Sequence, residues 1–172
     1  MRELIQLFSQ IALLRRGPQD VPASPLLLLL TVIGYLCVNV VVGSLLPPDH
    51  RWPEWLLVDT LFMLAWYAVL LRLLGRPERI LQTTTALFGF QAVLSPLLIG
   101  SAWLLRRFGE DTIWQVPITC AGLLLFIWLI AANSHIVRAA LEWPAASSVA
   151  LVILQTLASW LLQFALFPPV KG

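Results

Sequence analysis

Residues 25–46 read PLLLLLTVIGYLCVNVVVGSLL, a run without one charged side chain. A helix needs about 20 apolar residues to cross about 30 Å of hydrocarbon, so this run is long enough to span a membrane. It opens with Ser24–Pro25, a hydroxyl to cap the helix followed by proline at the first helical position. It closes on the proline-rich, charged turn 47–53, PPDHRWP.

Four further predominantly apolar runs follow: 55–74, 80–105, 113–140 and 145–167. The third begins with the polar QTTT at 82–85 and carries Pro96 in VLSPLLIG, flanked by Gly89 and Gly100. A proline there removes a backbone hydrogen bond, so a kink at Pro96 is expected. The fourth is expected to continue as helix beyond the apolar stretch, to Ala140. Short connections predict antiparallel neighbours. The expected fold class is therefore an all-α integral membrane protein, a bundle of five transmembrane helices, with a short tail at 168–172.

Composition supports that class. The chain is 59% hydrophobic and 12% charged, where soluble domains are about a quarter charged; its mean hydropathy is +0.86. At 172 residues it is one unit. A dispersed net charge of +2 argues against a nucleic-acid partner. Cys37 and Cys120 lie apart in apolar runs, so buried thiols are expected rather than a disulfide or metal site. His50 and His135 are isolated. The chain has no HExxH, GxSxG or Walker pattern and no paired carboxylates within a span, so neither an enzyme nor a cofactor is expected.

The first 24 residues differ. Leu4, Leu7, Phe8, Ile11 and Leu14 recur at helical spacing among polar positions. That pattern predicts a helix lying in the headgroup plane, its apolar face in lipid. The alternative, a signal peptide, lacks a small-residue cleavage site after its apolar core, where Arg15 and Arg16 stand instead. Pro18 and Pro22 then make GPQDVPAS (17–24) a stiff corner.

Orientation follows the basic flanks. Arg2, Arg15, Arg16, Arg72, Arg76, Arg79 and Arg138 fall on one side of five spans; Arg51, Arg106, Arg107 and Lys171 fall on the other. Seven against four predicts the N-terminus inside and the C-terminus outside. Trp52, Trp55, Trp114 and Trp143 mark span ends. Arg15, Arg16, Arg72, Arg76, Arg79 and Arg138 are expected to anchor on headgroups or form a docking patch, with Arg138 and Glu142 paired at i, i+4.

Polar residues inside spans are costly toward lipid. Asn39, Asp59, Gln91, Asn133 and His135 are the candidate intramembrane contacts. Interhelical hydrogen bonding is the expected role, typically about 0.6–2 kcal/mol per contact, because the sole ionisable residue well inside a span, Asp59, is shallow. Ala146, Ala150 and Ala158 lie near one helical face, which suits close contact with a partner helix. The functional expectation is a non-catalytic membrane scaffold, accessory or assembly subunit whose partners are lipids and other membrane proteins or itself. The alternative is a small transporter, channel subunit or lipid-handling protein using a polar cavity near the kinked third span.

Three stretches, 73–105 (LLGRPERILQTTTALFGFQAVLSPLLIGSAWLL), 123–151 (LLLFIWLIAANSHIVRAALEWPAASSVAL) and 15–29 (RRGPQDVPASPLLLL), resemble the Yip family of Rab-interacting five-span membrane proteins. The first resembles its glycine/basic loop before a span with a central proline, which Pro96 matches. The second resembles its fourth-to-fifth span junction, and the third its approach to the first span. The resemblance implies a helical bundle without enzymatic activity. Eukaryotic relatives meet Rab GTPases and carry a long cytoplasmic N-terminal region; here the segment before the first span is short, so a bacterial-type relative that assists another membrane assembly is implied.

Overall fold

A computed structural model describes residues 2–45, 51–109 and 112–167. The expected tail at 168–172, and the 46–50 segment with His50, lie outside the described residues. Among the described residues all regular structure is helical: α1 Arg2–Ala12, α2 Pro25–Leu45, α3 Trp52–Leu73, α4 Ile80–Val93, α5 Ser95–Phe108, α6 Thr112–Leu141 and α7 Ala145–Leu166. Four of these, α2, α3, α6 and α7, are long and apolar enough to cross a membrane. The α4–α5 pair passes the same test as a broken unit bent by 50°. These helices fit an integral membrane protein.

Local chemistry sets the helix ends. Ser24 Oγ accepts a hydrogen bond from the Leu27 N–H (3.4 Å), and Ser24 C=O accepts the first helical bond of α2 from Leu28 N–H (3.0 Å). Two ends are Schellman closures. At the end of α1, Arg15 N–H reaches Gln10 C=O and Leu14 N–H reaches Ile11 C=O. At the end of α3, Arg76 N–H reaches Leu71 C=O and Gly75 N–H reaches Arg72 C=O. Gly75 takes the required left-handed turn freely at φ 71°, whereas Leu14 takes it at φ 60° against the Cβ penalty.

The expected third span consists of two helices rather than one kinked helix. The break falls at Leu94, and Pro96 sits in the first turn of α5. Proline has no N–H for the carbonyl four residues back, and its ring opposes that carbonyl. The chain therefore ends α4 and starts α5 where proline is tolerated, instead of kinking one helix at Pro96.

The core gathers at one end. On α4, Thr83 through Phe90 are all buried, enclosed by α1, α2, α3 and α6. Around them pack Ile11, Val21, Tyr67, Leu71, Ile136 and Val137. The 30 residues of α6 rise about 45 Å, more than the bilayer core needs. Its buried residues all lie between Ala132 and Leu141, so its first two-thirds face outward. Cys37 and Cys120 are likewise exposed. The expectation of buried thiols is corrected: in a chain with lipid as solvent, an apolar position need not point inward.

The face of α1 expected to meet lipid meets protein. Leu7, Phe8, Ile11 and Ala12 are buried, and the Phe8 ring lies so close to Gly89 that a Cβ there would collide with it. The reason lies on α4. It carries Thr83, Thr84, Thr85 and the bare backbone of Gly89, which need a protein cover more than lipid-facing leucines do.

Candidate functional site

Two polar assemblies hold the helices, one at each end of the bundle. The first lies where α3 hands over to α4. The α6 helix ends at Leu141, and Glu142 adopts φ 59°, which swings its carboxylate off the helix face. Arg76 Nη2 meets Glu142 Oε2 at 2.9 Å and Arg79 Nη2 meets Oε1 at 2.7 Å. The same guanidinium groups donate to the last carbonyls of α6: Arg76 to Ala140 (3.3 Å), Arg79 to Ala139 (3.2 Å) and Ala140 (2.8 Å). Two cations thus cap the negative end of a helix dipole. The expected Arg138–Glu142 pair is corrected. Its i, i+4 geometry requires continuous helix, and the chain leaves the helix one residue too early. Arg76 and Arg79 are thereby committed to α6, while Arg15, Arg16, Arg72 and Arg138 remain exposed.

Hydrogen bonds from both arginines, with their charges, hold the Glu142 carboxyl at about 2, below its ordinary 4.5; the same carboxylate raises Arg76. A depressed carboxyl contributes stability that is present above 4.5 and lost as pH falls toward 2. The groups are open to solvent, so the contribution is modest. Glu142→Gln should melt below the native protein at pH 7, with the two melting temperatures converging between pH 4.5 and pH 2. A gap that stays constant through that window would contradict the assignment.

The corner is tied to this end by side chains bonding to backbone. Gln82 Nε2–H donates to Val21 C=O (3.0 Å), Trp128 Nε1–H to Ala12 C=O (3.1 Å), and His135 Nε2 meets Arg16 C=O at 3.0 Å. His135 is therefore a fastener between α6 and the corner. Asn133, its neighbour but one, has a buried Oδ1 without a partner among the described residues, as do the hydroxyls of Thr83, Thr85 and Ser134.

The second assembly centres on Asp59. Its Oδ2 accepts from Tyr35 OH (3.2 Å), and its Oδ1 accepts from Ser159 Oγ (2.6 Å) and, at 3.5 Å, from Gln163 Nε2. One carboxylate thus ties α2, α3 and α7. Two turns inward, Tyr67 OH donates to Gln155 Oε1 (3.0 Å), again joining α3 to α7. Asn39 does not join this network: its Nδ2 returns to Tyr35 C=O of its own helix (2.9 Å). Gln91 is half-buried and makes no hydrogen bond among the described residues. The five candidate contacts therefore do not converge on one cavity.

Among the described residues no three His, Cys, Asp or Glu side chains come together as a metal site. Ser159, Gln163 and Tyr35 were missed as partners of Asp59. Their signal was present in part, since a carboxylate one turn inside a span must find donors on facing helices. Comparison with protein-family models, curated proteins and solved structures gives no match.

Proposed function

We propose that this chain is a five-span, non-catalytic inner-membrane protein that serves as a scaffold or assembly subunit through lateral contacts. Two contacts support a full crossing by α4–α5. Gln82 bonds to Val21, just before α2 begins, and Arg106 Nη1 bonds to Ser44, as α2 ends (3.0 Å). A unit that meets α2 at both ends runs its whole length. The excess of basic residues on the N-terminal side of five spans supports an N-terminus in the cytoplasm and a C-terminus in the periplasm. The docked α1 lies at the inner headgroup level, with Arg15 and Arg16 toward lipid phosphates. The likeness of the three quoted stretches to the Yip family supports the same reading.

The carrying observation is the outward exposure of α6 and α7. No residue of the α6 spanning window is buried, and Ala146 and Ala150 of α7 point away from the bundle, on the side opposite Ser148 and Val152. Small outward residues let another helix approach closely. The expected result is a complex heavier than the monomer on blue-native electrophoresis after extraction in mild detergent, with a defined membrane protein or second copy co-purifying. A lone monomer under those conditions contradicts the proposal.

A further inference from the structure

The bend at Leu94 turns α5 toward α2 and leaves a groove of about 350 Å³ between α2, α5 and α6. Val42, Leu98, Ser101, Ala102, Leu105 and Gly122 are among its walls. The groove is open on the Gly122 side, where a Cβ would meet no atom within 4 Å. An empty groove forfeits dispersion contacts along its whole lining, and in a membrane the filler at hand is an acyl chain.

The outer end of the groove is not apolar. Arg106 directly follows the wall residue Leu105 and donates Nη1–H to Ser44 C=O (3.0 Å), two residues past the wall residue Val42, which sets a guanidinium with further N–H donors at that end of the groove. Arg107 lies over the Phe108 ring, 5.9 Å from its centre. Phe108 in turn packs with Trp103 and Trp114, at 6.2 and 5.4 Å between ring centres, an aromatic cluster of the kind found at headgroup level. Among the described residues no carboxylate pairs with either arginine. An apolar channel ending at two positioned cations is complementary to an amphiphile with a phosphate at its head.

We propose that this groove holds one phospholipid, an acyl chain along α5 and α6 and its phosphodiester on Arg106 and Arg107. The proposal rests on the membrane placement above and not on lateral partnership. A partnered protein that retains no lipid would therefore overturn this proposal alone.

The test is native mass spectrometry of the full chain, delipidated and then offered dioleoylphosphatidylglycerol or dioleoylglycerol, which share chains and differ in the phosphate. The native protein should retain one phosphatidylglycerol, favoured over the diacylglycerol by roughly fivefold per arginine, about 25-fold for the pair. Arg106→Gln with Arg107→Gln should abolish that preference. Arg107→Gln alone, which leaves the Ser44 bond in place, should remove about a fivefold part of it. Gly122→Leu fills open space without strain and should release both lipids while the melting temperature holds. Equal retention of the two lipids by the native protein would overturn the proposal. So would unchanged phosphatidylglycerol retention in Gly122→Leu, or a Gly122→Leu variant that loses only self-association, which would give the groove to a second copy.

Discussion

Gly89→Val will lift the N-terminal helix off the bundle. The Phe8 ring occupies the space a side chain at 89 needs, and both residues are buried, so the ring gives way only by pressing on its packed neighbours. Overpacking of this kind costs about 1–3 kcal/mol. Here the chain has a cheaper exit than unfolding, because a freed α1 can lay its apolar face in the headgroup region. The readout is therefore local. Trypsin should cleave at Arg15–Arg16 far faster in Gly89→Val than in the native protein, and amides of 7–16 should lose hydrogen-exchange protection while the spanning helices keep theirs. Phe8→Ala removes the obstructing ring, so Gly89→Val added to it should do little further harm, a coupling of roughly 0.5–3 kcal/mol. Unchanged cleavage in Gly89→Val would mean that α1 does not rest on α4.

Asp59→Ala is the second large effect. It leaves the buried Tyr35 and Ser159 hydroxyls without their acceptor and unties α2, α3 and α7 at once. Polar contacts between membrane helices average about 0.6 kcal/mol and reach about 1.7, so loss of the cluster should lower unfolding free energy by roughly 1–3 kcal/mol. Asp59→Asn keeps an acceptor oxygen for Ser159 and should lose less than half as much. Steric-trapping or detergent-denaturation measurements read the difference. Equal losses for alanine and asparagine would show that the hydrogen bonds are not what Asp59 supplies.

The helical class and the apolar runs were legible because lipid imposes one pattern: a long, predominantly apolar helix bounded by caps, prolines and arginines. The partner of α1 was not legible. An amphipathic stripe reads the same whether it meets lipid or protein, and the deciding feature, the polar coat of α4, lies seventy-odd residues along the chain. The polar QTTT at the start of the third run did not say what would cover it; Thr83, Thr84 and Thr85 are buried within protein. The Arg76–Arg79–Glu142 knot needed the end of α6 to be placed to the residue. One clue was present: Trp143 precedes Pro144, and a residue before proline is pushed out of helical geometry, which argues against extending α6 far enough to pair Arg138 with Glu142. The Asp59 cluster was legible on one side alone, since the spacing of residues along separate spans does not say which faces turn toward each other.

The most direct test of the architecture concerns the bent pair α4–α5, because whether it crosses decides the number of spans and the side of the C-terminus. Single cysteines at Gln19, Glu78, Arg107 and Thr112, in a background with Cys37 and Cys120 replaced by alanine, can be labelled with a membrane-impermeant maleimide in sealed right-side-out and inverted vesicles. Arg107→Cys and Thr112→Cys should react only from the periplasmic side, and Gln19→Cys and Glu78→Cys only from the cytoplasmic side. Arg107→Cys reacting from the same side as Glu78→Cys would make α4–α5 a re-entrant hairpin and contradict the five-span account.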